Sequence, residues 1–204
     1  MASLDGKVIA LTGKTRASPT ADRPSNPKLY AGGASGIGLA TAKLFAARGA
    51  RVSIADVQEK ALQDAEAAIK SATPVAEVMN AVVDVRDAAA CNKWIEDTVQ
   101  RFGRLDGAAN LAGVYKGTSL TNEDGSAWDF CIGINLTGVK NCMQAELKHL
   151  KAGGSMVNAA SILGISGDGD AAAYSVSKHG VVGLTRSAAK EYGPKGVRIN
   201  GIAP

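Results

Sequence analysis

The sequence predicts a doubly wound α/β fold, a parallel sheet with helices on both faces, and three observations predict it. Short β-branched runs alternate with longer stretches of helical spacing, the signature of successive βαβ units. Those runs are nearly continuous in apolar character, as strands covered on both faces should be. Glycines stand at the end of one helical stretch after another, where a left-handed cap is needed.

Six strands are expected in order: Lys7 to Thr12, Arg51 to Ala55, Glu77 to Val83, Leu105 to Asn110, Ser155 to Ala160 and Val197 to Ile202. Between them the 3.6-residue spacing predicts helices over Gly36 to Arg48, Gln58 to Ser71, Asp87 to Arg101, about Ser126 to Lys151, and Ala171 to Tyr192, with Gly49, Gly103, Gly153 and Gly193 as terminators. No internal repeat breaks the pattern. A chain of 204 residues, 46% hydrophobic and 21% charged, suits one domain spanning residues 1 to 204.

Residues 14 to 32 do not belong to this pattern. They hold three of the six prolines (Pro19, Pro24, Pro27), lack apolar periodicity, and read as an irregular loop. They also carry a net charge of +3, which leaves +1 for the rest of a chain whose total is +4. The basic balance therefore belongs to the insert and gives little argument for nucleic acid, which would need a basic stripe on a folded face. The first residues carry charge where a signal peptide needs an apolar run, and no stretch offers the ~18 apolar residues of a membrane span, so a cytoplasmic protein is expected with no membrane partner. Cys91, Cys131 and Cys142 form no C-x-x-C pair and no metal-ligand set with His149 and His179, so they read as packing thiols, with no metal expected.

The glycine cluster Gly32-Gly33-Ala34-Ser35-Gly36-Ile37-Gly38 lies directly before a helix. Glycines are required where a tight turn must bring backbone N–H groups and a helix N-terminus close to a phosphate, because a Cβ would block the approach. Joining Thr12 to either Gly13 or Gly32 gives VIALTGGASGIGLATAKLF, or T-G-x-x-x-G-x-G. Farther on, YSVSK places Tyr174 and Lys178 four apart on one helix face. A free tyrosine titrates near ~10, so proton exchange at neutral pH calls for a neighbouring cation that favours phenolate. That makes Tyr174 a candidate general acid/base with Lys178 as its electrostatic partner. Ser161 ends a strand at the carboxyl edge, where open α/β sheets bind ligands. Asp56 ends another, where a carboxylate can accept hydrogen bonds from ribose hydroxyls and repel a 2′-phosphate.

These motifs resemble the short-chain dehydrogenase/reductase family over essentially the whole chain apart from the insert. The resemblance implies a Rossmann fold, a nicotinamide cofactor (NAD, with NADP less favoured) and hydride exchange between a secondary alcohol and a ketone or other carbonyl of a small molecule. It implies catalytic roles for Asn135, Ser161, Tyr174 and Lys178, in which Ser161 hydrogen-bonds the substrate oxygen and Asn135 holds a water in a proton relay. It implies cofactor contacts from Gly13, Gly32, Ser35, Gly36, Ile37, Gly38, Asp56, Asp84, Val85 and Asn110, together with Tyr174 and Lys178. AANLAG is similar to the family's N-N-A-G and departs from it at Leu111. A homodimer or homotetramer is also implied. VRINGIAP stops one residue short of the family's R-x-N-x-x-x-P-G, so the last strand and substrate lid are expected to be missing.

Two alternatives stay open: an impaired, mis-spliced or truncated product that binds no cofactor, and an NADPH-dependent 3-oxoacyl-thioester reductase. The first follows from the insert, which reads either as translated intron or as a real surface loop with its own role. Gly13-Lys14 can be encoded with GTAAG and Ala31-Gly32 with CAG before G, and removing nineteen codons would fuse Gly13 and Gly32 in frame.

Overall fold

The computed structural model describes residues 3–12, 14–16, 30–32, 34–123 and 125–204. Six parallel strands form the sheet: β1 (Val8–Thr12), β4 (Arg51–Asp56), β5 (Val78–Val82), β6 (Gly107–Asn110), β7 (Ser155–Ala159) and β8 (Arg198–Ile202). Their spatial order is β5-β4-β1-β6-β7-β8. The chain thus winds outward from β1 in one direction and then, after β5, crosses back to β6 and continues in the other. The switch falls between β1 and β6, where Thr12 lies beside Asn110 and a crevice opens at the carboxyl edge.

The helices are α1 (Gly36–Ala46), α2 (Glu59–Ala72), α3 (Ala88–Phe102), α4 (Ser126–Ile132), α5 (Val139–Leu147) and α6 (Ala172–Tyr192). α3 shows how sequence sets the ends: Asp87 accepts from the N–H groups of Ala89 and Ala90 at 2.8 and 3.1 Å, a cap contributing about 1 kcal/mol, and Gly103 closes the helix at φ 81°. One apolar cluster packs α1 and α2 on Ile9, Leu11, Val52 and Ile54. A second, larger one packs α3, α5 and α6 on the other face around Trp94, Ile95, Met143 and Val181.

Four expectations need correction. The ends of the insert are not irregular: β2 (Lys14–Arg16) and β3 (Tyr30–Gly32) pair antiparallel, Lys14 opposite Gly32 and Arg16 opposite Tyr30. A segment that leaves the end of β1 and must return to the start of α1 brings its two ends side by side, and their backbones then bond to each other. Residues 17–29 lie outside the described residues. The helix expected over 126 to 151 is divided, because Gly133–Gly138 forms a π turn between α4 and α5. Gly193 does not end α6 with a left-handed cap: its φ is −54°, and one further turn carries the chain to Gly196 at φ 78°. Finally, β8 is not covered on both faces. Only Ile199 is buried there, since β8 is an edge strand and α6 covers one side of it.

Candidate active site

The loop after β6, the end of β7 and the second turn of α6 converge at the carboxyl edge beside the switch point. They enclose a cavity of about 280 Å³ lined by Ile37, Gly113, Ser161, Tyr174, Lys178 and Pro204, among others. Three of the four expected catalytic residues thus face one space. Asn135, the fourth, lies directly behind it and is fully buried.

Asn135 sits in the π turn, which resolves the oddity of an asparagine inside a helix. Its Oδ1 accepts from Val114 N–H at 2.7 Å, and its Nδ2 donates to Val114 C=O at 2.9 Å and to Ser177 Oγ at 3.0 Å. Ser177 in turn donates to the carbonyl of Tyr174 at 2.6 Å. The same side chain therefore fixes the loop after β6 and the turn of α6 that carries Tyr174. Gly113 makes this closeness possible: a Cβ there would stand 3.2 Å from Lys178 Nζ and 3.3 Å from Asn135 Oδ1.

Lys178 is buried, and its ammonium donates to Ala159 C=O at 2.8 Å while lying 5.7 Å from the centre of the Tyr174 ring. Tyr115 meets that ring edge to face at 5.1 Å, which holds the phenol from its other side. Ser161 Oγ accepts from Leu163 N–H at 3.3 Å and makes a long contact of 3.4 Å to Pro204 C=O.

The residues expected around a dinucleotide are placed unevenly. Gly36 opens α1 at φ 53°, a left-handed value that favours glycine, followed by exposed Ile37 and buried Gly38, with Ser35 at the N-cap position. Gly32 ends β3, and Gly13 lies outside the described residues. Asp56 is buried at the end of β4, with its oxygens accepting from Ala34 N–H at 3.2 Å and Gln58 N–H at 3.0 Å. Burial raises its carboxyl above the usual range, and those backbone bonds oppose the rise.

Asp84 is engaged by Arg86, whose Nε bonds both oxygens at 2.9 and 3.0 Å, and this pairing lowers the carboxyl. Val85 is buried, with its carbonyl accepting from Asn141 Nδ2 at 2.9 Å. Asn110 is buried at the end of β6, where its amide donates to Glu146 Oε2 at 2.8 Å and to Asn158 Oδ1 at 3.0 Å.

Sequence reasoning missed Glu146, Asn158, Ser177 and Tyr115. Glu146 had a signal: it stands four residues after Cys142 and three after Met143, on the buried stripe of α5. Among the described residues, no group of three or more His, Cys, Asp or Glu could hold a metal ion, and no helix is long and apolar enough to cross a membrane.

Comparison with known proteins identifies the family. The family model described as Enoyl-(Acyl carrier protein) reductase matches residues 32–204 and so begins on the last residue of the insert. A short-chain dehydrogenase/reductase, aba4, from Botryotinia fuckeliana is 49% identical over 177 residues, covering 85% of this chain and 68% of its own. Levodione reductase from Leifsonia aquatica is 44% identical over 191 residues, covering 92% and 71%. Among solved structures, levodione reductase superposes with a TM-score of 0.86 at 38% identity, covering 98% of this chain and 71% of that one. Carveol dehydrogenase from Mycobacterium avium in complex with NAD gives 0.85 at 28%, covering 100% and 72%. A six-stranded doubly wound sheet, a serine, tyrosine and lysine facing one cavity at its switch edge, and relatives at this level of identity establish that the chain belongs to the short-chain dehydrogenase/reductase family of oxidoreductases.

Proposed function

We propose that the protein interconverts a secondary alcohol and a ketone with a nicotinamide cofactor, NAD in preference to NADP. The observation that carries this reading is the single cavity shared by Ser161, Tyr174 and Lys178, backed by Asn135. A nicotinamide fits it: Ile37 of the N-terminal turn of α1 and Gly113 line the same space as the polar side chains of Ser161, Tyr174 and Lys178. When bound, that group gives or takes the hydride.

The chain's own residues handle the proton and the orientation. Tyr174 donates its phenolic proton to the carbonyl oxygen as a ketone is reduced and takes it back in the other direction. The Lys178 ammonium, fixed by Ala159 C=O, stands 5.7 Å from the centre of the Tyr174 ring beside this proton transfer. Ser161 Oγ turns from its long contact with Pro204 to donate to the same substrate oxygen. Asn135 holds Val114 and, through Ser177, the Tyr174 turn, so that Tyr174 meets the substrate from a fixed backbone. Family membership also supports a homodimer or homotetramer, which sedimentation would read, and a cytoplasmic site of action.

The test is Tyr174→Phe, with levodione and carveol as trial substrates because two relatives carry those names. NADH affinity should persist while turnover falls by more than tenfold. Retention of a tenth or more of kcat, a barrier change of about 1.4 kcal/mol or less, removes Tyr174 from the mechanism.

A second reading rests on the β2–β3 ladder, which separates Thr12 from the glycines before α1; β2 lies against α1 and β3 against β4. If residues 14 to 32 are translated intron, this form of the protein binds no cofactor. Absence of any NADH fluorescence change on mixing favours that reading. Genomic codons lacking GT at Gly13-Lys14 or AG at Ala31-Gly32 would refute the intron origin.

A further inference from the structure

Beneath the cavity lies a buried polar cluster that the chemistry above does not use. Glu146 of α5 and Asn158 of β7 are fully buried, and Asn110 of β6 and Thr185 of α6 nearly so. The two hydrogens of the Asn110 amide are both committed, one to Glu146 Oε2 at 2.8 Å and one to Asn158 Oδ1 at 3.0 Å. Asn158 is itself oriented by donating to Met143 Sδ at 3.4 Å, which can only accept, as well as to Thr185 Oγ1 at 3.0 Å, so the assignment of nitrogen and oxygen in both amides follows from the network. Two atoms then have no partner among the described residues, Asn110 Oδ1 and Glu146 Oε1. They are the remaining oxygens of two groups already joined by one hydrogen bond. An unsatisfied buried acceptor is costly, and two on adjoining groups have a common remedy.

We propose that Glu146 is held as a neutral carboxylic acid whose proton bridges Oε1 to Asn110 Oδ1, closing a two-point acid–amide pair. One proton satisfies both orphaned oxygens and removes a buried charge for which no cation is supplied. Burial does push the Glu146 carboxyl up to about 7, the Asn110 hydrogen bond opposing the rise.

The titratable groups that meet this cluster are thiols. Cys142 is one turn back on α5, and Cys91 faces it from α3 with sulfurs 3.8 Å apart. The Cys91 contact and then burial hold Cys142 well above the usual thiol range, so it stays neutral as well. β6, β7 and α6 present Asn110, Asn158 and Thr185, which do not titrate.

Glu146 is thereby a positioning residue. Asn110 directly precedes Leu111, whose N–H bonds the carbonyl of Thr12 across the switch point. Asn158 directly precedes Ala159, whose carbonyl holds Lys178. The protonated clasp ties to α5 the ends of the two strands that lead to Gly113 and Ser161.

The proposal is independent of the substrate and of cofactor binding. Its test uses the full chain and Glu146→Gln, because glutamine reproduces the same donor and acceptor without a titratable proton. A group raised in the folded state from its ordinary 4.5 to about 7 contributes stability in full below 4.5 and loses it as pH rises to about 7. The folding constant of Glu146→Gln relative to wild type should therefore climb by up to about tenfold per pH unit between pH 5 and 7 and level off above. The infrared difference spectrum of the wild type should show the carbonyl band of a neutral acid that persists at pH 6 and is missing in Glu146→Gln. Parallel pH profiles for the two proteins would overturn the proposal. So would a wild-type spectrum in which every neutral-acid band has vanished by pH 6, a result that stands even if the variant does not fold.

Discussion

Asn135 grips both backbone polar atoms of Val114, accepting from its N–H at 2.7 Å and donating to its C=O at 2.9 Å. One side chain thus replaces a strand neighbour for a residue that has left the sheet. Asn135→Ala leaves two buried backbone groups and Ser177 Oγ without this partner. We expect a loss of about 2–4 kcal/mol, read by urea unfolding with unchanged m-value. Asn135→Asp, which keeps a donor and an acceptor while protonated and only acceptors once ionised, should lose less than the alanine variant at low pH and more at neutral pH, where a buried carboxylate would face the Val114 carbonyl.

Gly138 closes the π turn against Val85, and a Cβ there would stand 2.4 Å from Val85 Cγ2 and 3.0 Å from Val85 Cβ. Valine is stiff at χ1 and cannot swing aside. Gly138→Ala should destabilise by about 1–3 kcal/mol, and the double variant with Val85→Ala should recover most of it. Additive losses in that cycle would contradict the contact.

Cofactor choice should follow Asp56. Its carboxylate takes the Ala34 and Gln58 amides, and a 2′-phosphate at this strand end would meet its charge. We expect kcat/KM at least tenfold higher with NAD(H) than with NADP(H), and Asp56→Ser should narrow that ratio. A tenfold preference for NADP(H) in the unaltered chain would reverse the assignment.

Removing residues 14 to 32 should improve NADH affinity by at least tenfold, about 1.4 kcal/mol, measured by nicotinamide fluorescence with the rest of the chain unchanged. Equal affinity in both chains, insensitive to salt, would mean that the β2–β3 ladder leaves the glycine turn competent.

All six sheet strands were legible in the sequence to within two residues, because a parallel sheet demands long apolar runs whatever surrounds it. Ser161, Tyr174 and Lys178, which line one cavity, were legible through the family resemblance together with local features, a strand end and one helix turn. What depended on distant partners was not. Nothing near Asn110 in the sequence announces that Glu146, 36 residues later, accepts from its amide. The β2–β3 pairing is invisible in KTR and YAG alone, since it arises where β1 and α1 bring those segments together. The π turn keeps the apolar spacing of a helix, so GINLTG gives no warning of the extra residue that turns Asn135 toward Val114.

The ladder that opposes Lys14 to Gly32 has a bearing on protein engineering. It joins the two flanks of a nineteen-residue excursion as neighbouring strands, so whatever is carried beyond Arg16 and Tyr30 is tethered to the domain by a stem of fixed span. A module spliced in at that position would stand on a stem that lies against α1 and β4. The site of interruption is therefore a natural socket for a graft.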